Sequence, residues 1–301
     1  MKQTNRTLPA IMFALGMALL AAAPEAAADG GGGSAPVHAG EQTPPLPAMV
    51  LVEAGSFLMG RDDGAHNERP AHAVTISRNL LVAAFMVTQD EYEAFCKATG
   101  RPGPKARPEY SGGKKPAIGV DWYDAAAYCN WLSAAHGYTP CYSGAGNATR
   151  CDFDADGYRL PTEAEWEWAA RGGRLGPGFL YAGSDDPGTV AWFDGNSGGV
   201  MRECGLLAPN ELGLFDMSGN LYEWCWDFYA ADAYATSGAL DPTGPSPKAL
   251  ATPRGSERVR RGGSWRENAA SASVFFRARD YAGYPGDNGF RLFRSVGPSA
   301  P

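Results

Sequence analysis

The residues with the most chemical potential lie late in the chain. Between Arg260-Arg261-Gly262-Gly263-Ser264-Trp265 and Gly289-Phe290-Arg291-Leu292 runs a polar, aperiodic interval, residues 266–288. Paired glycines permit close backbone approach at its start, and the alternating Phe290 and Leu292 return a strand to a core at its end. Such a stretch suits a displayed surface held at both ends, so the 262–292 segment is the expected site or ligand surface. Ser264, Arg277 and Arg279 are its candidate pocket groups. The competing role for each arginine is to pair with a carboxylate and hold an irregular loop.

A second constellation is Asp152-Phe153-Asp154-Ala155-Asp156-Gly157 with Glu163 at the twelfth place. Alternating carboxylates, a turn glycine and a late bidentate Glu match the spacing of a calcium loop. Ser143 to Thr149 does not form an entering helix, and Glu163 also suits the first turn of a helix, so a solvated acidic hairpin competes. Six cysteines, Cys96, Cys129, Cys141, Cys151, Cys204 and Cys225, make an even set. Cys141 and Cys151 flank a Ser/Gly/Asn-rich loop and form the expected disulfide, contributing roughly 2–3 kcal/mol by chain entropy. The other four can pair in three ways. With no Cys-x-x-Cys pair, neither a zinc knuckle nor a thioredoxin-like motif has support.

These groups must be carried by short elements. Met49–Val52 and Ser56–Met59 read as strands parted by Ala54-Gly55, a hairpin-like signal, and Ala73–Ile76 and Leu81–Val87 continue the β pattern. Thr88 and Glu91 form a capping box for a helix with Tyr92, Phe95 and Cys96 on one face. A second helix starts near Asp121 and buries Ala125, Tyr128, Cys129 and Leu132. A third opens at Thr162 with Glu165, after Pro161, and turns Trp166 inward. Beyond it, Gly-, Pro- and Asn-rich connections dominate, a composition that calls for staples such as disulfides or bound cations.

A length of 301 residues and a net charge of −7 fit a soluble globular chain with no basic face for nucleic acid. Lys2 and Arg6, an apolar run from Leu8 to Ala23 and small residues before Asp29 match a signal peptide over residues 1–28. The expected product is exported, periplasmic or secreted, without stable membrane insertion after cleavage. Residues 29–47 read as a flexible linker, 48–295 as one folded domain and 296–301 as a tail.

Three segments in order carry a family resemblance: Tyr158-Arg159-Leu160-Pro161-Thr162-Glu163-Ala164-Glu165-Trp166, then Gly213-Leu214-Phe215-Asp216-Met217-Ser218-Gly219-Asn220-Leu221-Tyr222-Glu223-Trp224, then Arg261-Gly262-Gly263-Ser264-Trp265 with Gly289-Phe290-Arg291. The chain resembles the formylglycine-generating enzyme, or sulfatase-modifying factor, family. That resemblance implies an α+β, C-type-lectin-like single domain with much irregular structure. It also implies a calcium site at Asp216, Gly219, Leu221 and Glu223, with Asn196 resembling a ligand of a second one. Copper-dependent members use two cysteines after the Gly-Gly-Ser-aromatic turn, because thiolates suit cuprous ion. Here those positions are Glu267 and Ala272, and no cysteine follows Cys225.

Copper is therefore not the expected cofactor unless another thiol, Cys204 or Cys225, reaches Ser264. Glu267 remains a candidate general acid or hard-metal ligand. The four histidines, His38, His66, His72 and His136, have no ligand spacing, which argues against the ergothioneine branch. Two readings compete: a binding protein that displays 262–292 to a protein, peptide or small molecule, and a non-copper enzyme like the pyoverdine-maturation branch. Sulfatase activation is the third.

Overall fold

The computed structural model describes residues 43–104, 110, 112–246 and 257–296. The expected signal peptide, most of the expected linker and the expected tail after Val296 lie outside the described residues. No described helix is long and apolar enough to cross a membrane.

The first two apolar runs do not pair with each other. Met49–Val52 (β1) pairs antiparallel with Asn79–Ala83 (β4), and Phe293–Val296 (β13) lines the other side of β4, so both ends of the domain meet in one three-stranded sheet. Gly55–Met59 (β2) pairs instead with His72–Ile76 (β3). The hairpin signal at Ala54-Gly55 thus marks a crossing between sheets, where the Ala54 N–H donates to Asn79 Oδ1 at 2.9 Å. A second sheet has the order β11-β10-β9-β12, built from Tyr222–Phe228 (β9), Glu257–Arg261 (β10), Ala278–Tyr281 (β11) and Asn288–Gly289 (β12). Two short pairs complete the strands: Tyr142–Ser143 (β5) with Arg150–Cys151 (β6), and Ala191–Trp192 (β7) with Ser218–Gly219 (β8).

The helices form where their caps predict. Thr88 and Glu91 make a reciprocal capping box for Gln89–Thr99 (α1), which ends at Gly100 in the left-handed region. Asp121 accepts the Asp124 N–H at 2.8 Å to start Trp122–Ala135 (α2). The stripes of both helices share one core with Trp224 and Phe290. Thr162 and Glu165 cap Glu163–Ala170 (α3), whose every residue is buried, including Glu163, Glu165 and Glu167. Buried carboxylates need partners in the interior. Arg159 grips Glu165 with two 2.6 Å hydrogen bonds, Arg261 reaches Glu167, and Arg277 takes Glu163.

Side chains from α3 and the turn after it also cover the outer edge of β2. Leu58 O accepts from Arg171 Nη1 at 2.6 Å, Ala54 O accepts from Arg174 Nε at 2.7 Å, and the Gly60 N–H donates to Glu167 Oε1 at 2.9 Å.

The cysteines depart from expectation: all six are free, and Cys141 is not bonded to Cys151. In the register, Tyr142 lies opposite Cys151 and the Asp152 N–H donates to Cys141 O, so the two cysteines stand diagonally across the ladder, both packed with Cys129 on one core without bonding.

Candidate functional site

The chain leaves β10 through Gly262 and Gly263, at φ +92° and +77°. A Cβ on Gly263 would sit 2.6 Å from Ser271 O, so only glycine lets the 262–273 loop close on itself. Ser264 is buried in this turn. Its hydroxyl accepts the Arg266 N–H at 3.4 Å, and its carbonyl accepts the Glu267 N–H. Trp265 is fully buried, and its N–H donates to Asn220 O.

Two exposed stretches follow, 266–268 and 283–285, separated by buried residues 271–274. The segment is thus two surface patches on a packed base rather than one continuous display. Arg266 joins them: Nη1 lies 3.0 Å from Asp287 Oδ2, and Nη2 donates to the Tyr110 hydroxyl at 3.1 Å. Beneath sits Tyr222, its ring 4.0 Å from the Arg260 guanidinium, which donates to Asn288 Oδ1 at 2.9 Å. Burial pushes the Tyr222 phenol up to about 12 against the pull of Arg260. The sequence reading missed Tyr110, Tyr222, Arg260 and Asp287. Strand alternation through 257–261 carried a signal for Arg260, whereas Tyr110 and Asp287 arrive by tertiary folding that spacing does not encode.

The arginine candidates have structural partners. Arg277 is buried and holds Glu163 with both Nε, at 2.6 Å, and Nη2, at 2.8 Å. Burial alone would lift the Glu163 carboxyl; Arg277 and Arg261 outweigh it and hold it below the usual range. Arg279 pairs with Glu257 at 3.0 Å on the surface. Both fill the loop-holding role, away from Ser264.

The proposed calcium loop does not assemble. Glu163 points into the core at Arg277, Asp154 pairs with Arg78 and Asp156 accepts the Thr139 N–H, while Asp152 caps the Asp154 N–H. The helix start claims the twelfth-place carboxylate, and the three aspartates form an acidic turn.

At the other calcium position, Asp216 and Glu223 are both buried. Glu223 binds Arg291 at 2.7 Å and accepts from Trp166 Nε1 at 2.9 Å. Asp216 has only the Gly205 N–H at 2.8 Å and a long contact to Asn220, and burial pushes its carboxyl up to about 6. Its unmatched charge, and not Glu223, is what a cation would answer there. Gly219 O accepts the Leu221 N–H in a tight turn. Asn196 spends its amide on its own loop, accepting from Phe193 N–H and donating to Ala191 O. Among the described residues no three His, Cys, Asp or Glu groups gather as a metal cluster.

At the two positions where the resemblance places copper ligands stand a carboxylate and a methyl group. Glu267 is exposed with its carbonyl accepting the Asp194 N–H, and Ala272 is a buried methyl. Cys204 packs in the apolar cluster that contains Trp265, whereas Cys225 packs in a different cluster with Trp166. Burial raises both thiols, which disfavours thiolate, and they do not form a pair.

The fold defines an α+β domain of the formylglycine-generating-enzyme type. The chain belongs to the sulfatase-modifying factor family: residues 34–296 match the sulfatase-modifying factor enzyme 1-like domain. It is 28% identical over 280 residues to the formylglycine-generating enzyme of Thermomonospora curvata, spanning 72% of this chain and 82% of that protein. It is 30% identical over 275 residues to the serine/threonine-protein kinase Pkn1 of Chlamydia trachomatis, with 84% of this chain covering only 39% of that relative's length. Treponema denticola variable protein 1 superposes with a TM-score of 0.70 and 32% identity, over 82% of this chain and 95% of that one. PvdO from Pseudomonas aeruginosa does so at 0.64 and 29%, over 83% and 95%.

Proposed function

We propose that this chain is an exported sulfatase-modifying-factor-family protein that presents the exposed patch at Arg266, braced by Asp287 and the buried Tyr110, to a ligand and does not oxidise cysteine with copper. The observation that carries the reading is the donor set: Glu267 and Ala272 cannot bind cuprous ion as a thiolate pair. A rigid base supports the surface, since Trp265, Tyr222 and residues 271–274 are buried beneath the exposed patches.

A second reading, a copper-free periplasmic maturation enzyme, is favoured by the likeness to PvdO and by the Tyr222–Arg260–Asn288 group under the patch. Incubation of purified protein with cuprous ion, oxygen and a sulfatase-motif peptide tests the first claim. The peptide's mass should not change, and formylglycine in it would overturn the reading. Peptide and metabolite arrays then test the surface: ligands captured by wild type should be lost in Arg266→Glu, and binding that survives this change places the site elsewhere. Amino-terminal sequencing of secreted protein should begin near Asp29.

A further inference from the structure

We propose that a cavity at the start of α3, apart from the exposed patch at Arg266, binds a primary alkylammonium group. The cavity holds about 300 Å³, and its charged lining groups are all acids, Glu163, Asp227 and Asp241. Two of them are already answered. Glu163 is gripped by Arg277, and Asp241 accepts from the Ser77 N–H and hydroxyl. Asp227 is different. It is 4% exposed, its Oδ2 accepts only the Glu163 N–H at 2.8 Å, and no described cation pairs with it. Among the described residues no donor reaches Oδ1.

The ceiling over Oδ1 is Gly244, at φ +77°, where a Cβ would lie 2.8 Å from that oxygen. Glycine there leaves the carboxylate uncovered by any side chain. A buried carboxylate with no cation in contact is costly unless one arrives or it stays protonated, and burial with Glu163 nearby lifts its carboxyl well above the usual range against the more distant pull of Arg277.

The lining selects the kind of cation. Among the described residues no three metal-ligating groups converge, so a divalent ion would lack its shell. An ammonium needs three acceptors, and Asp227 Oδ1 with the Thr236 and Thr243 hydroxyls can supply them. Leu240, Pro242 and Met59 line the cavity with apolar surface suited to an alkyl stem. A lysine side chain of a peptide and a free diamine share this chemistry.

Isothermal titration of the full chain with 1,5-diaminopentane, and separately with an acetyl-lysine-amide peptide, tests the site. Saturable one-site binding of either is expected; the diamine alone identifies a free amine, and the peptide alone a lysine side chain. Asp227→Asn keeps the acceptor for Glu163 N–H and should weaken binding at least about thirtyfold, since it removes one charge of a buried pair. Leu240→Lys, at a position 64% exposed, should fold and compete from the mouth of the cavity. No saturable binding of either amine, wild-type affinity retained in both variants, or calcium binding that Asp227→Asn abolishes would each overturn the proposal.

Discussion

Replacing Arg277 by Met separates a structural arginine from a catalytic one. Arg277 makes two short hydrogen bonds to Glu163, donates to Asn67 O at 2.7 Å and lies 4.1 Å from the Tyr234 ring. Arg277→Met keeps the volume of the stem but leaves the Glu163 carboxylate buried with the Tyr234 hydroxyl at 3.3 Å and, as its nearest remaining cation, Arg261 at 3.6 Å. Breaking a buried pair by removing one partner costs about 3–5 kcal/mol, which for a domain of this size lowers Tm by roughly 6–20 °C. Chemical denaturation gives the first number and calorimetry the second. The double variant Glu163→Gln/Arg277→Met should recover part of the loss, because it no longer strands a charge. The pH profile adds a sign. The folded Glu163 carboxyl is depressed, so its contribution is present above the unfolded carboxylate pKa and is lost as pH falls through the folded one. The gap between wild type and Arg277→Met should therefore narrow in acid. A loss under about 1 kcal/mol, or a double variant whose cost equals the sum of the singles, would refute the structural assignment.

The Asp216 carboxyl, raised to about 6, binds its proton more tightly folded than unfolded. In chelator, wild-type stability should thus fall between about pH 4 and pH 6, by on the order of 2–3 kcal/mol, and Asp216→Asn should flatten that slope. We propose that calcium supplies the missing counter-charge; it should raise the Tm of wild type at pH 7.5 but not of Asp216→Asn, and equal shifts in both would remove Asp216 as a ligand. Gly263→Ala should destabilise by about 2 kcal/mol or more, because it adds left-handed strain to a clash with the Ser271 backbone. Gly262→Ala, whose Cβ would meet Trp166 at 3.3 Å, should cost less in the same urea titration.

Local signals in the sequence carried the helices. Thr88, Asp121 and Thr162 cap where they stand because a side-chain oxygen reaches a backbone N–H only two or three residues away. Sheet partners were not legible in the same way. The Ala54-Gly55 turn signal is real as a chain break, but whether β1 meets β2 or β4 depends on residues far along the chain, as in the pairing of Met49 with Ala83. The calcium spacing through Asp152 and Glu163 failed because the helix start and Arg277 compete for the same carboxylate. The two cysteines flanking the 142–150 loop were plausible partners by distance along the chain, and in the ladder they stand diagonally without bonding. At the candidate surface the anchors were legible and the cross-links were not, since Arg266 finds Tyr110 across 156 positions.

The row of polar groups along β2 that faces away from β3 has a social consequence. A strand whose Ala54 and Leu58 carbonyls already receive guanidinium donors offers a visiting strand little to hydrogen-bond with. Ser56, between them, lines the groove beside both arginines. Removing the two guanidinium groups should therefore uncover strand carbonyls that a second copy could use, read as concentration-dependent self-association of an Arg171→Ala/Arg174→Ala variant.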